Sequence, residues 1–181
     1  MNSYSDVGIV LKRLNLGEAD KLITFYTRHH GKVTAIARGL RKPTSKRAGS
    51  LELFNLVKSS FIKGKGELDT LAEVQILNSH SGWRKHLGRV NLAYQLAEVV
   101  DKLTPDHQPH PEIFAILKDS LSQISSLGSD WPLKIKNIKL KILVELGYWP
   151  QAKEFIGEVD EFIENLINRP LNSPKILDKL R

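Results

Sequence analysis

Hydrophobic and polar positions along this chain change period once, near residue 79, and that change divides it into two parts. Ahead of it, apolar residues come in short β-branched or aromatic runs bounded by turn formers. Val7-Gly8-Ile9-Val10-Leu11 is the first run, closed by Asn15-Leu16-Gly17-Glu18-Ala19-Asp20. Leu22 to Thr27 is the second, too short and too β-rich for a helix, and Gly31 separates it from a third, Lys32 to Arg38. A fourth, long strand is expected from Leu51 to Ile62. Lys63-Gly64-Lys65-Gly66 then reads as a hairpin turn that supplies glycine where positive φ is needed. In the fifth strand Ala72, Val74 and Ile76 alternate with Glu73 and Gln75, which marks one buried and one wet face.

Five short antiparallel strands joined by glycine turns predict a small closed barrel, because closure removes the edges such a sheet would otherwise expose. An OB-fold has this strand count and size. Beyond Ser79 the apolar spacing becomes helical. Leu92, Leu96, Val99, Val100 and Leu103 form one stripe, and Ile113, Ile116, Leu117, Leu121 and Ile124 a second. Asp130 is a candidate cap for a third helix carrying Trp131, Ile135, Ile138, Ile142 and Leu146, stopped by Gly147 and Pro150. A fourth is expected over Phe155, Ile156, Val159, Phe162, Ile163 and Leu166, with Glu154, Glu158, Glu161 and Glu164 opposite. Pro170 and Pro174 precede a short basic tail. The predicted fold class is thus β plus α in two domains: a five-stranded OB-fold barrel over 1–80 and an all-α bundle over 81–181.

Charge sharpens this division. Residues 1–80 hold 13 Lys+Arg against 7 Asp+Glu, a balance of +6, while residues 81–181 hold 14 against 13, a balance of +1, which together give the net +7. Such asymmetry is the footprint of a module that binds a polyanion; the plain alternative is charge that serves solubility. Absence of Cys excludes disulfides, thiolate zinc sites and cysteine nucleophiles together. No apolar run is long enough to cross a membrane and no signal peptide is apparent, so a cytoplasmic protein is expected.

The excess charge concentrates on two loops. Arg38, Arg41, Lys42, Lys46 and Arg47 lie on one rich in Gly, Pro, Ser and Thr, and Lys63 and Lys65 lie at the hairpin. Side chains and backbone N–H groups of such loops can contact phosphates, and Arg can stack on unpaired bases. An ordinary solvated loop is the alternative for either alone; two on one barrel favour binding. Contact with about six to eight phosphates would give a log K against log salt slope of about −4 to −6 on single strands. Phe25, Tyr26, Phe54 and Phe61 are expected in the core rather than stacked on bases.

Other constellations point less far. His29-His30 is poor geometry for joint chelation, and Asp106, His107 and His110 read as a surface loop, so no metal or other cofactor is expected. No nucleophile elbow or phosphate-binding glycine motif occurs, and the chain is read as non-enzymatic. Lys134, Lys136, Lys139 and Lys141 flank the third apolar stripe, either as a solvated rim or as a basic border for an acidic peptide.

Several segments, in order, resemble the bacterial RecO family. They are 6–13 (DVGIVLKR), 16–24 (LGEADKLIT), 27–32 (TRHHGK), 37–43 (ARGLRKP), 51–54 (LELF), 63–71 (KGKGELDTL) and 143–150 (LVELGYWP). The resemblance implies an N-terminal OB-fold and a helical C-terminal domain. It also implies a mediator of DNA repair and recombination that binds single- and double-stranded DNA, anneals complementary strands and helps RecR load the RecA recombinase. It further implies a bacterial, nucleoid-associated protein whose helical domain takes the acidic, Phe-ending tail of the single-strand-binding protein. Many members carry a four-cysteine zinc module after the Leu-Gly-Tyr-x-Pro segment; this chain has no Cys. It is also shorter than such members, which leaves part of the family's partner surface in question. An RNA-binding OB-fold protein and a protein–protein adaptor working through the helical bundle remain alternatives.

Overall fold

The computed structural model describes residues 2–45, 47–66 and 68–173. Five strands, β1 (Ser3–Leu16), β2 (Asp20–Thr27), β3 (Gly31–Ala37), β4 (Leu56–Ile62) and β5 (Asp69–Asn78), close a barrel in the order β1-β2-β3-β5-β4. Closure is made by β1, which pairs with β2 from Gly8↔Thr27 to Leu16↔Asp20 and with β4 from Ser3↔Ile62 to Ile9↔Leu56. A register shift between Val10 and Lys12 lets the 14-residue strand bend far enough to serve both neighbours. β3 and β5 run parallel, with Ala35 opposite Asp69. The interior is packed with Val10, Ile23, Phe25, Val33, Val57, Phe61 and Leu71, the inward half of each alternating run.

The fourth strand begins at Leu56, not at Leu51. Gly49–Leu51 is a 3-10 turn, Phe54 sits at φ 68°, and the Asn55 amide donates to the carbonyls of Gly49 and Ser50, both at 3.0 Å. Those bonds fold the segment into a loop, and Leu51 enters the barrel core as a plug.

Four helices follow: α1 (Leu87–Leu103), α2 (Pro111–Gln123), α3 (Trp131–Glu145) and α4 (Val159–Ile167). The predicted apolar stripes supply their buried side chains, Leu92, Leu96, Val99 and Val100 on α1 and Leu117 and Leu121 on α2 among them. Asp130 precedes α3 but does not cap it; its carboxylate pairs with Lys134 at 3.1 Å instead. α4 starts later than the apolar pattern suggested, and Ile156 lies ahead of it, 87% exposed. The expected tail beyond Ser173 lies outside the described residues.

Contacts gather the chain into two compact units. One comprises 2–80 together with Pro105–Phe114, and the other Ser81–Thr104 with the described residues from Ala115 onward. In the barrel unit, Lys32 pairs with Asp106 and accepts the His107 N–H at its carbonyl (3.0 Å). In the helical unit the Trp83 indole donates to the Leu121 carbonyl at 2.9 Å, and α1, α3 and α4 pack on one another. No helix among the described residues is long and apolar enough to cross a membrane.

Candidate nucleic-acid interface

The loop between β3 and β4 carries most of the predicted cations, and its shape is set by a few specific bonds. Gly39 turns the chain at φ 66°, and its N–H donates to the Asp20 carboxylate at 2.7 Å. The Arg41 N–H donates to the Ala19 carbonyl at 2.9 Å and its guanidinium to the Gly17 carbonyl. The loop is thereby tied to the β1–β2 turn. Leu40 and Leu51 are buried in the barrel core and pin it from below. At its base Arg13 pairs with Glu52. Ordering the backbone in this way leaves the Arg38, Arg41 and Lys42 side chains exposed on a fixed platform.

Arg47 differs from its neighbours. It is half-buried, and its guanidinium donates to the Arg38 carbonyl at 2.6 Å and toward the carbonyls of Leu71 and Ala72 on β5, both at 3.4 Å. Three of its five donors are thus directed at the backbone, so it clamps the loop to the barrel wall. It also borders an open concavity of 540 Å³ on the outer face of β1, β4 and β5. Lys58, Ser5 and Ser60 line that concavity, with the two hydroxyls 2.8 Å apart, as does Glu73. Lys58 was not singled out from the sequence. Its signal was there: it is the outward residue between buried Val57 and Ser59 on β4.

Lys63 and Lys65 are exposed at the β4–β5 hairpin, but Lys63 borders a different cavity, with its ammonium 5.8 Å from the centre of the Tyr4 ring. The six described of the seven predicted cations therefore do not form one cluster. Lys46 lies outside the described residues. Phe25, Tyr26, Phe54 and Phe61 are all buried, as expected.

The β2–β3 turn holds a second concentration of polar groups. Asp6 is buried and accepts from the Val7 N–H (2.8 Å), the His29 N–H (2.8 Å), His29 Nδ1 (3.1 Å) and His30 Nδ1 (2.7 Å). Burial alone would raise its pKa, but these bonds outweigh it and hold the carboxyl below its ordinary value. The Tyr4 hydroxyl donates to Asp69 at 2.5 Å; burial first, then this bond and the Asp69 charge, push the phenol well above its ordinary range. Among the described residues no three His, Cys, Asp or Glu side chains are grouped to hold a metal ion.

In the helical unit the four lysines of α3 separate. Lys134 pairs with Asp130, Lys136 donates to the Gly157 carbonyl at 3.1 Å, and Lys141 is exposed. Lys139 is no part of a solvated rim. It is buried, donating to Gln95 at 2.8 Å and to Asp160 at 2.6 Å, and Gln95 in turn donates to Asn91 at 2.7 Å.

Comparison with known proteins gives two family matches, Recombination protein O N terminal over residues 1–80 and Recombination protein O C terminal over residues 84–155. The DNA repair protein RecO of Pelotomaculum thermopropionicum is 35% identical over 151 residues, covering 83% of this chain and 57% of that protein. That of Symbiobacterium thermophilum is 33% identical over 164 residues, covering 91% and 64%. That of Myxococcus xanthus is 32% identical over 151 residues, covering 83% and 62%. The chain spans about six-tenths of the length of these curated relatives.

Proposed function

This chain belongs to the RecO family, and we propose that it is a DNA repair and recombination mediator that acts by binding strands, without catalysis. The observation that carries this reading is the loop after β3, anchored at Gly39, Arg41 and Arg47, which presents cations to solvent beside the barrel wall. Arg38, Arg41, Lys42 and Lys46 contact backbone phosphates there, Lys58 extends the path across β4, and Arg47 holds its shape while offering its remaining donors. Lys63 and Lys65 form a separate point at the hairpin. Phosphate contacts of this kind bind single- and double-stranded DNA without reading sequence. By screening strand repulsion, they let complementary strands pair.

In this reading the protein also helps RecR load recombinase, and capture of the acidic tail of the single-strand-binding protein falls to the helical unit. Lys134, Lys136 and Lys141 are the candidates for the tail, beside the exposed Leu133. Buried Lys139 supports α3 against α1 and α4 rather than a peptide.

Competition at fixed salt tests the ligand class. A labelled DNA strand bound to the protein is challenged with unlabelled DNA or RNA of equal length. Displacement by DNA at lower concentration than by RNA is expected. Preferential displacement by RNA would move the function to RNA binding.

A further inference from the structure

We propose that the barrel unit carries a second anion site, a histidine-lined cavity that takes a phosphate group, separate from the Arg-rich loop. The cavity, 390 Å³ in volume, lies between the β2–β3 turn, the β4–β5 hairpin and the segment around His107. Its wall brings together His29, His30, His107 and Lys63 from three stretches of chain.

Asp69 lines this space and Asp6 stands behind two of its histidines, yet neither has an oxygen without a partner. Asp6 takes two donors on each of its oxygens, all from the turn and from Val7. Asp69 accepts the Tyr4 hydroxyl on one oxygen and the Gly64 N–H (3.2 Å) on the other. The Tyr4 phenol stays protonated. What remains for a ligand is donor chemistry: the Lys63 ammonium and imidazole nitrogens.

Asp6 also determines which imidazole nitrogens those are. It binds His29 and His30 through Nδ1, which leaves Nε2 of each for a ligand. A neutral imidazole offers a lone pair at that nitrogen, whereas a protonated one offers an N–H. The other charged groups nearby are Arg28 on the same turn and Lys32, whose ammonium is paired with Asp106 at 3.3 Å. A phosphate is the fitting anion because its oxygens can accept from several of these donors at once. It can come from the backbone or end of a bound strand, or from a free nucleotide.

The test is an NMR titration of the full chain with inorganic phosphate, following the histidine ring resonances at pH 6, with chloride as control. Saturable shifts of His29, His30 and His107 that chloride does not reproduce are expected. The K63Q and H107Q variants, both at exposed positions, should each weaken phosphate binding while leaving the spectrum folded. Oligothymidylate with and without a 5′-phosphate separates the sources: a shift that needs the 5′-phosphate assigns the strand end, and equal shifts assign the backbone. Absence of saturable shifts at pH 6, or shifts unchanged in both variants, would overturn the site. The result is independent of the Arg-rich loop, since an R38Q/K42Q protein should titrate with phosphate as the parent does.

Discussion

Replacing Arg38 and Lys42 together by Gln removes two exposed cations from the β3–β4 loop without touching the bonds that shape it. Those bonds run through the Gly39 N–H, the guanidiniums of Arg41 and Arg47, and buried Leu40 and Leu51. Each phosphate neutralised on a single strand contributes about −0.7 to the slope of log K against log salt. Six cations, Arg38, Arg41, Lys42, Arg47 and Lys58 on this face together with Lys46 of the same stretch of sequence, then predict a slope of about −4.2, and the double variant one of about −2.8. Between about 50 and about 200 mM salt the parent should lose roughly 300-fold in affinity and the variant roughly 50-fold. Fluorescence anisotropy of a labelled oligothymidylate across that range measures both slopes. A K118Q control, on α2 in the helical unit, should keep the parent slope. Equal slopes for parent and double variant would refute the reasoning, whatever the change in affinity at one salt concentration.

Three further outcomes follow from the packing. In D160N the Lys139 ammonium, 3% exposed, loses its carboxylate partner and keeps only neutral carbonyl acceptors, so urea unfolding should show a loss of about 3 kcal/mol; K139M should lose less, because it buries no unpaired charge. Glu98 accepts from Asn172 and Ser173; burial raises its pKa, but these bonds outweigh it and lower it below the ordinary value of 4.5. The stability it adds is therefore present above about pH 4.5 and lost as pH falls through the lower folded value, so the melting gap between parent and E98Q should narrow in acid. Ala at Gly31 would sit at φ 68° with its Cβ 2.3 Å from the Gln108 carbonyl oxygen, a backbone atom that cannot easily yield. A destabilisation of roughly 1–3 kcal/mol or more is expected in G31A, read by thermal unfolding.

The barrel was legible because its strands are short β-branched or aromatic runs bounded by turn residues, with a period-two alternation in the fifth. Its loop was less so: Leu51 reads as the start of a strand, but the Asn55 amide bonds and the positive φ of Phe54 make it a plug. Such a bend depends on side-chain bonds that no periodicity records. Of the binding cations, the loop cluster was visible as composition, whereas the clamping role of Arg47 depends on Leu71 and Ala72, more than twenty residues away. Lys139 was misread for a different reason. It stands four residues beyond buried Ile135 and four before buried Leu143, on the apolar face itself, and the nearby lysines masked that spacing. His29-His30 was noticed as a pair, but its link to Asp6 was not, since that link is made by hydrogen bonds between residues more than twenty positions apart.

The central claim is that cations on the 38–47 loop let complementary strands approach. Annealing of two labelled complementary DNA strands, with the parent and with Arg38, Arg41, Lys42 and Lys46 changed to Glu, tests it most directly. The parent should accelerate annealing and the reversed protein, still folded by circular dichroism, should not. Undiminished annealing by the folded reversed protein would contradict the account.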